Sequence, residues 1–220
     1  MNFDFCILIY LATFYSLLFI NMIGIIDYGM GNLYSVKNAF LSLGAKAEII
    51  DKPNQLLEMS KAVLPGVGAF GDAMDILSKS GLSKSIKEFV QTQRPFLGIC
   101  LGLQLLFEKS SESPGKKGLC LLKGKVEKFK GKIKIPHIGW NRIIIKKQTD
   151  LLSGVSRNSF FYFCHSYYVK PQDKNVISCV TDYGINFTSI VASGNIFGIQ
   201  FHPEKSQSSG LKILENFAKL

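Results

Sequence analysis

The sequence predicts an α/β fold: a central, mostly parallel sheet flanked by helices, with an antiparallel β-rich part added in the second half. Three observations predict it. From Met22 to about Ile99, short apolar runs alternate with amphipathic stretches, the signature of right-handed strand–helix–strand crossovers. From about Val126 the chain turns β-rich, with runs such as VEKF, FFYF, VISCV and FTSIVAS and turn residues between several of them. The 220 residues, 47% hydrophobic and 19% charged, suit one such domain with a sizeable core.

The elements follow in order. MIGIID reads as a buried first strand and runs into a glycine-rich loop, YGMGN. In LYSVKNAFLSL, Leu33, Val36, Ala39, Phe40 and Leu43 recur at helical spacing, and Gly44 closes the helix. AEIID and KAVLP are the second and third strands. After the loop GVGAFGD, residues 72–79 and 82–92 have helical patterns, and PFLGI is a fourth strand. In the second half VEKF, NRIII, FFYF, YYVK, VISCV, FTSIVAS and IFGIQF are strands, and Ser209 to Lys219 is a final helix. No repeat or low-complexity linker divides residues 22–220.

Residues 5–20, FCILIYLATFYSLLFI, are long and apolar enough to raise a membrane anchor or a signal peptide. The preceding MNFD carries an acid and no base, no small-residue cleavage site follows, and no polar linker separates the run from the first strand. Residues 1–21 therefore read as an apolar extension arising from a misassigned start, with a membrane tether as the alternative. The domain itself is 22–220.

The net charge of +10 would suit an anionic partner. No arginine-rich run or aromatic RNA-binding motif accompanies it, which argues against nucleic acid. The five cysteines, Cys6, Cys100, Cys120, Cys164 and Cys179, are odd in number, widely spaced and free of CxxC. That pattern argues against a disulfide framework and a zinc site and fits a reducing cytoplasm.

Chemistry is concentrated in three places. In PFLGICLGLQLLF a strand gives way to a helix at Cys100, with Gly98 and Gly102 on either side. A sharp strand-to-helix turn of this kind exposes a nucleophile and needs small neighbours, and the helix N-terminus favours a thiolate. A nucleophile needs a base, and the chain has three histidines, His137, His165 and His202. His202 in IFGIQFHPEKS follows an apolar strand, and Glu204 is two residues on, close enough to orient an imidazole. His165 follows Cys164 directly, but neighbouring strand residues face opposite ways; Cys164 reads as core. His137 lies in a loop-like stretch without a neighbouring acid. The third place is LPGVGAFGD, whose backbone N–H groups could hold an anion or an oxyanion. It matches neither a Walker A loop nor a dinucleotide fingerprint.

Together these stretches resemble the class I, triad-type glutamine amidotransferases. Their G-x-C-x-G-x-Q elbow is matched by Gly98, Cys100, Gly102 and Gln104, and their H-P-E motif by His202, Pro203 and Glu204. IGIIDYGMGNL, PGVGAFGDAM, PHIGWN and FCHSYYV look like the glutaminase subunits of imidazole glycerol phosphate synthase, over essentially all of 22–220. The resemblance implies a flavodoxin-like fold and a Cys100–His202–Glu204 triad that hydrolyses L-glutamine to glutamate and ammonia. It implies an oxyanion site from Leu101 and the loop at Gly66, Val67 and Gly68, with Gln104 contacting glutamine. It further implies a separate (β/α)8 cyclase subunit that receives the ammonia, with Met30, Asn32, Trp140 and Lys205 near that interface. No metal or cofactor is implied. The resemblance also suggests a gate in which the PGVG peptide flips, its glycines making rotation cheap. A paralogous glutaminase serving an amidino-sugar pathway is an alternative client. A non-catalytic or membrane-tethered binding protein is an alternative of another class.

Overall fold

The computed structural model describes residues 21–220. The apolar extension, apart from Asn21, lies outside the described residues. Among them, an 11-stranded sheet organises the molecule in the order β2-β1-β3-β4-β13-β12-β10-β6-β5. Strands β1 (Met22–Ile26), β2 (Lys46–Ile50), β3 (Lys61–Gly66), β4 (Phe96–Cys100) and β13 (Ile196–Ile199) are mutually parallel. Antiparallel pairing begins where β12 (Asn186–Ser193) joins β13, and continues through β10 (Tyr167–Pro171) to β6 (Gly124–Lys128). β5 (Lys109–Ser110) lies at the edge, and β11 (Ile177–Asp182) and β8 (Ile144–Ile145) branch from β12. A separate ribbon pairs β7 (His137–Arg142) with β9 (Phe160–His165).

Period-two alternation sends successive strand residues into two cores. One core sets Ile23, Ile25, Val63, Leu97 and Ile99 against α1 (Leu33–Ser42) and α6 (Gln207–Lys219), where Phe40 and Phe217 lie 6.2 Å apart between ring centres. On the other face Ile26, Ala62, Leu64 and Phe96 meet α2 (Pro53–Glu58), α3 (Phe70–Lys79) and α4 (Leu82–Gln91). Both faces of the parallel half are thus covered, which is why its strands read as continuous apolar runs.

The sequence-based elements hold with shifted ends. α3 starts at Phe70 rather than at residue 72, and α6 starts at Gln207 rather than Ser209. α2 is additional: six residues opening with Pro53 at its first turn are too few to show a period. NRIII is not one strand: β7 ends at Arg142 and β8 begins at Ile144. Cys164 is a correction. It is exposed, because in β9 the inward positions are Phe161, Phe163 and His165; alternation puts the cysteine on the other face. His137 is no loop residue either. It opens β7, buried opposite His165.

The strand-to-helix junction after β4 is the tightest place in the fold. A Cβ on Gly102 would overlap the Leu64 carbonyl oxygen, and one on Gly98 would lie 2.7 Å from the Gly102 carbonyl carbon. The helix α5 (Leu101–Leu105) can therefore cross β3 and β4 only because both positions lack a side chain. Gly102→Ala is expected to destabilise the protein by at least about 2 kcal/mol, read as a lower urea midpoint at unchanged slope.

Candidate active site

Three adjacent parallel strands end at the same edge and deliver the site. β3 ends at Gly66, which pairs in register with Cys100 at the end of β4. Next to β4 runs β13, with Ile199 opposite Ile99, and the chain continues through Gln200 and Phe201 to His202. In open α/β sheets this carboxyl edge is where ligands bind.

Cys100 takes φ 55° and ψ −106°, a conformation that L residues rarely adopt and that is kept only where the surroundings enforce it. It puts Sγ at the mouth of a cleft of about 330 Å³ lined by Val67, Gly68, Leu101, Gln104, His165 and His202, among others. His202 is buried, and its Nδ1 lies 2.9 Å from Glu204 Oε1. Burial opposes the charged imidazole, but hydrogen bonding with Cys100 and Glu204, and the negative charge of both groups when ionised, outweigh it and hold the pKa up. The His202 backbone is pinned as well. Its N–H donates to the Tyr162 carbonyl at 2.9 Å, and the Ser206 hydroxyl donates to its carbonyl at 2.6 Å. Ser206 Oγ in turn accepts from the Tyr162 N–H at 2.9 Å, so one buried hydroxyl ties the histidine turn to the ribbon.

The glycine loop closes over this edge. Gly68 has φ +97°, and a Cβ there would collide with the terminal methyl of Met30. A Cβ on Gly66 would collide with the Tyr28 hydroxyl, which is buried without a hydrogen-bond partner. The loop is thus packed from below by the YGMGN segment, while Val67 at its tip is 46% exposed.

The structure brings Cys100, His202, Val67, Gly68, Leu101, Gln104 and Lys205 to one cleft. Glu204 stands behind His202 rather than in the cleft, and Gly66 lies beneath, in register with the cysteine. Met30 reaches the cleft through Gly68. Asn32 is the residue before α1. Trp140 is 47% exposed and lines a neighbouring surface groove with Phe160 and Ser206–Ser209. Sequence reasoning missed several wall residues. Cys164, His165 and Glu112 all line the cleft. Glu112 also caps α3, accepting from the Phe70 N–H at 2.8 Å. The alternating pattern of FFYFCH, had its phase been fixed by the two buried phenylalanines, would have placed His165 inward.

The family model for class I glutamine amidotransferases matches residues 24–220. The chain belongs to this family, in its HisH branch. It is 50% identical over 199 residues to the imidazole glycerol phosphate synthase subunit HisH of Methanocaldococcus jannaschii, covering 90% of this chain and 100% of that one. With HisH of Caldanaerobacter subterraneus it shares 48% identity over 199 residues, covering 90% and 98%. Solved structures agree on the fold: PurLQS from Thermotoga maritima superposes with a TM-score of 0.73 at 18% identity, covering 90% of this chain and 97% of that one. A crystal structure titled as a glutamine amidotransferase gives 0.71 at 18%, covering 90% and 99%. This HisH-branch chain is an enzyme subunit of histidine biosynthesis. Among the described residues no helix is long and apolar enough to cross a membrane.

Two of the three histidines are held neutral. Burial pushes His137 down to about 4 and, with the nearby positive charge of His137 and His202, pushes His165 down to about 3 against a hydrogen bond to the Tyr167 carbonyl. A histidine whose folded pKa is lowered contributes stability above its unfolded pKa and loses it as the pH falls towards the folded value. His202, shifted the other way, contributes stability that is fully present below its unfolded pKa and is lost progressively as the pH rises from about 6.5 towards its folded value. Stability should therefore rise from about pH 5 to about pH 6.5, above the range of carboxylate titration. Urea midpoints across that window check this; a flat or falling trend would contradict the buried neutral pair.

Proposed function

We propose that the cleft at Cys100 is the glutaminase site of an imidazole glycerol phosphate synthase, with residues 22–220 as the catalytic unit. The observation that carries the residue assignment is the convergence of Cys100 and the hydrogen-bonded His202–Glu204 pair, from two adjacent strand ends, at one cleft.

In this reading Cys100 Sγ attacks the side-chain carboxamide carbon of glutamine. The thiol proton passes to His202, which the Glu204 carboxylate holds with Nδ1–H directed at Oε1, leaving Nε2 to work towards the sulfur. Collapse of the tetrahedral adduct breaks the C–N bond, and His202 returns the proton to the departing nitrogen as ammonia leaves. Water, activated by the same imidazole, then cleaves the γ-glutamyl thioester and releases glutamate. The developing oxyanion is held by the Leu101 N–H at the start of α5 and by an N–H of the loop at Val67 or Gly68. Donors of this kind are worth roughly 10²–10³ in rate. Gln104 and the Glu112 carboxylate supply polar contacts to the amino-acid end of glutamine, the carboxylate pairing with its ammonium group.

The ammonia goes to a separate (β/α)8 cyclase subunit, which makes imidazole glycerol phosphate and the aminoimidazole carboxamide ribotide. Support for a docking face comes from β7 and β9, where Ile138 (56% exposed), Trp140 and Phe160 (50% exposed) present large apolar side chains to solvent. Lys205, over the Tyr162 ring at 5.9 Å, and the Met30–Asn32 segment complete that face. The proposed home is the cytoplasm.

Glutamate release by residues 22–220 should be strongly stimulated by the cyclase subunit with its nucleotide ligand. Cys100→Ala should lower the stimulated rate by at least about 10³. Stimulated turnover that survives Cys100→Ala would overturn the assignment.

A further inference from the structure

One buried hydrogen-bonded chain connects the ribbon strand β7 to the nucleophile. The main-chain carbonyl of Tyr167 has two partners, His165 Nδ1 at 2.7 Å and Gln104 Nε2 at 3.1 Å. Gln104 Nε2 also donates to Gln200 Oε1 at 3.3 Å, and Gln200 Nε2 lies 3.8 Å from Cys100 Sγ. On the other side, His165 Nε2 is 3.2 Å from His137 Nδ1, and His137 Nε2 is 3.5 Å from Asn141 Nδ2, which donates to the Asp182 carbonyl at 2.8 Å.

A carbonyl can only accept, and that fixes the polarity of every link. The Gln104 atom facing Tyr167 must be its NH2, whose second proton goes to Gln200. Gln200 must then turn its oxygen to Gln104 and its NH2 to the sulfur. In the same way His165 must donate from Nδ1, so its Nε2 accepts from His137 Nδ1–H and His137 Nε2 accepts from Asn141. Gln200 is fully buried, and Gln104, His137 and His165 nearly so, so these groups depend on one another for their hydrogen bonds. Reversing either glutamine amide would set two acceptors or two donors against each other at a buried site, where an unmade hydrogen bond is expensive.

We propose that Gln200 is a further positioning residue of the glutaminase: its amide N–H holds the Cys100 sulfur, and the Tyr167 carbonyl, through Gln104, dictates that a donor rather than an acceptor faces it. The inference rests on Cys100 being the nucleophile. The donor restrains Sγ in the position from which it attacks and stabilises the sulfur anion, while making no contact with the amino-acid end of glutamine.

Two measurements test it. In complex with the cyclase subunit, Gln200→Met, close in shape but without the donor, and Gln200→Glu, which accepts from Gln104 but presents no N–H to sulfur when ionised, should each lower kcat by about tenfold or more, with the glutamine KM changed by less than about threefold. Alkylation of Cys100 by iodoacetamide should slow in parallel. A folded variant of either kind that keeps both kcat and alkylation within about twofold of wild type overturns the proposal; loss of turnover in Cys100→Ala in the same experiment shows that the glutaminase reading itself stands. The second measurement uses the wild-type chain: 15N imidazole spectra should show His165 as the Nδ1–H tautomer. An Nε2–H tautomer would set two acceptors, Nδ1 and the Tyr167 carbonyl, against each other and overturn the chain.

Discussion

The backbone of Cys100 is the constraint on which the rest of the site depends. A cysteine at positive φ between a strand and a helix is unfavourable by itself, at a cost on the order of 1–3 kcal/mol. It persists because the strand before it and the helix after it are packed too closely to relax. Gly102 lies against the Leu64 carbonyl, Gly98 lies against Gly102, and Leu101, Leu103, Leu105 and Leu106 are all buried. The strain is thus held by the hydrophobic core on one side and by glycine contacts on the other. What it delivers is a thiol directed out of a buried strand end, at the N-terminus of a helix, facing the neighbouring strand's histidine.

Electrostatics then separates three imidazoles into two roles. His202 has a carboxylate at 2.9 Å and is held in a state that favours the proton. Among the described residues His137 and His165 have no carboxylate partner; they lie among Phe129, Phe163 and Phe187 and stay neutral, which lets each act as donor and acceptor at once. The same residue type serves as a proton carrier at one strand end and as a polarity-fixing link 6.5 Å or less from a phenylalanine ring at another. Burial decides little alone, since all three are buried; the presence of Cys100 and Glu204 beside His202 decides.

Much of this was legible in the sequence, for identifiable reasons. The parallel half has long apolar runs with helical periods between them, and the elbow and the H-P-E turn sit where those runs stop. The triad could be named because Cys100 ends β4 and both His202 and Glu204 follow β13 within five residues. The ribbon was less legible. Its strands carry buried polar residues, His137 and His165, and exposed apolar ones, Ile138, Trp140 and Phe160, so hydrophobicity misreports their phase. The reading of Cys164 as core fails there, because Phe161 and Phe163 set the opposite phase. Glu112 and Ser206 act through a helix cap and a turn that depend on contacts more than 40 positions away, and no local pattern announces them. Gln200 sits inside the run IFGIQF with nothing local to single it out; only the closeness of Gln104 and Cys100 gives it a role.

The central claim is that glutamine cleavage passes through a covalent bond to Cys100. The most direct measurement is the mass of the Cys100-containing peptide from the cyclase-activated enzyme, quenched in acid during turnover with glutamine. A γ-glutamyl adduct on that peptide, absent without glutamine and removed by hydroxylamine, is the predicted result. Steady glutamate release with no adduct on Cys100, under quenching that preserves an authentic thioester, would contradict the account.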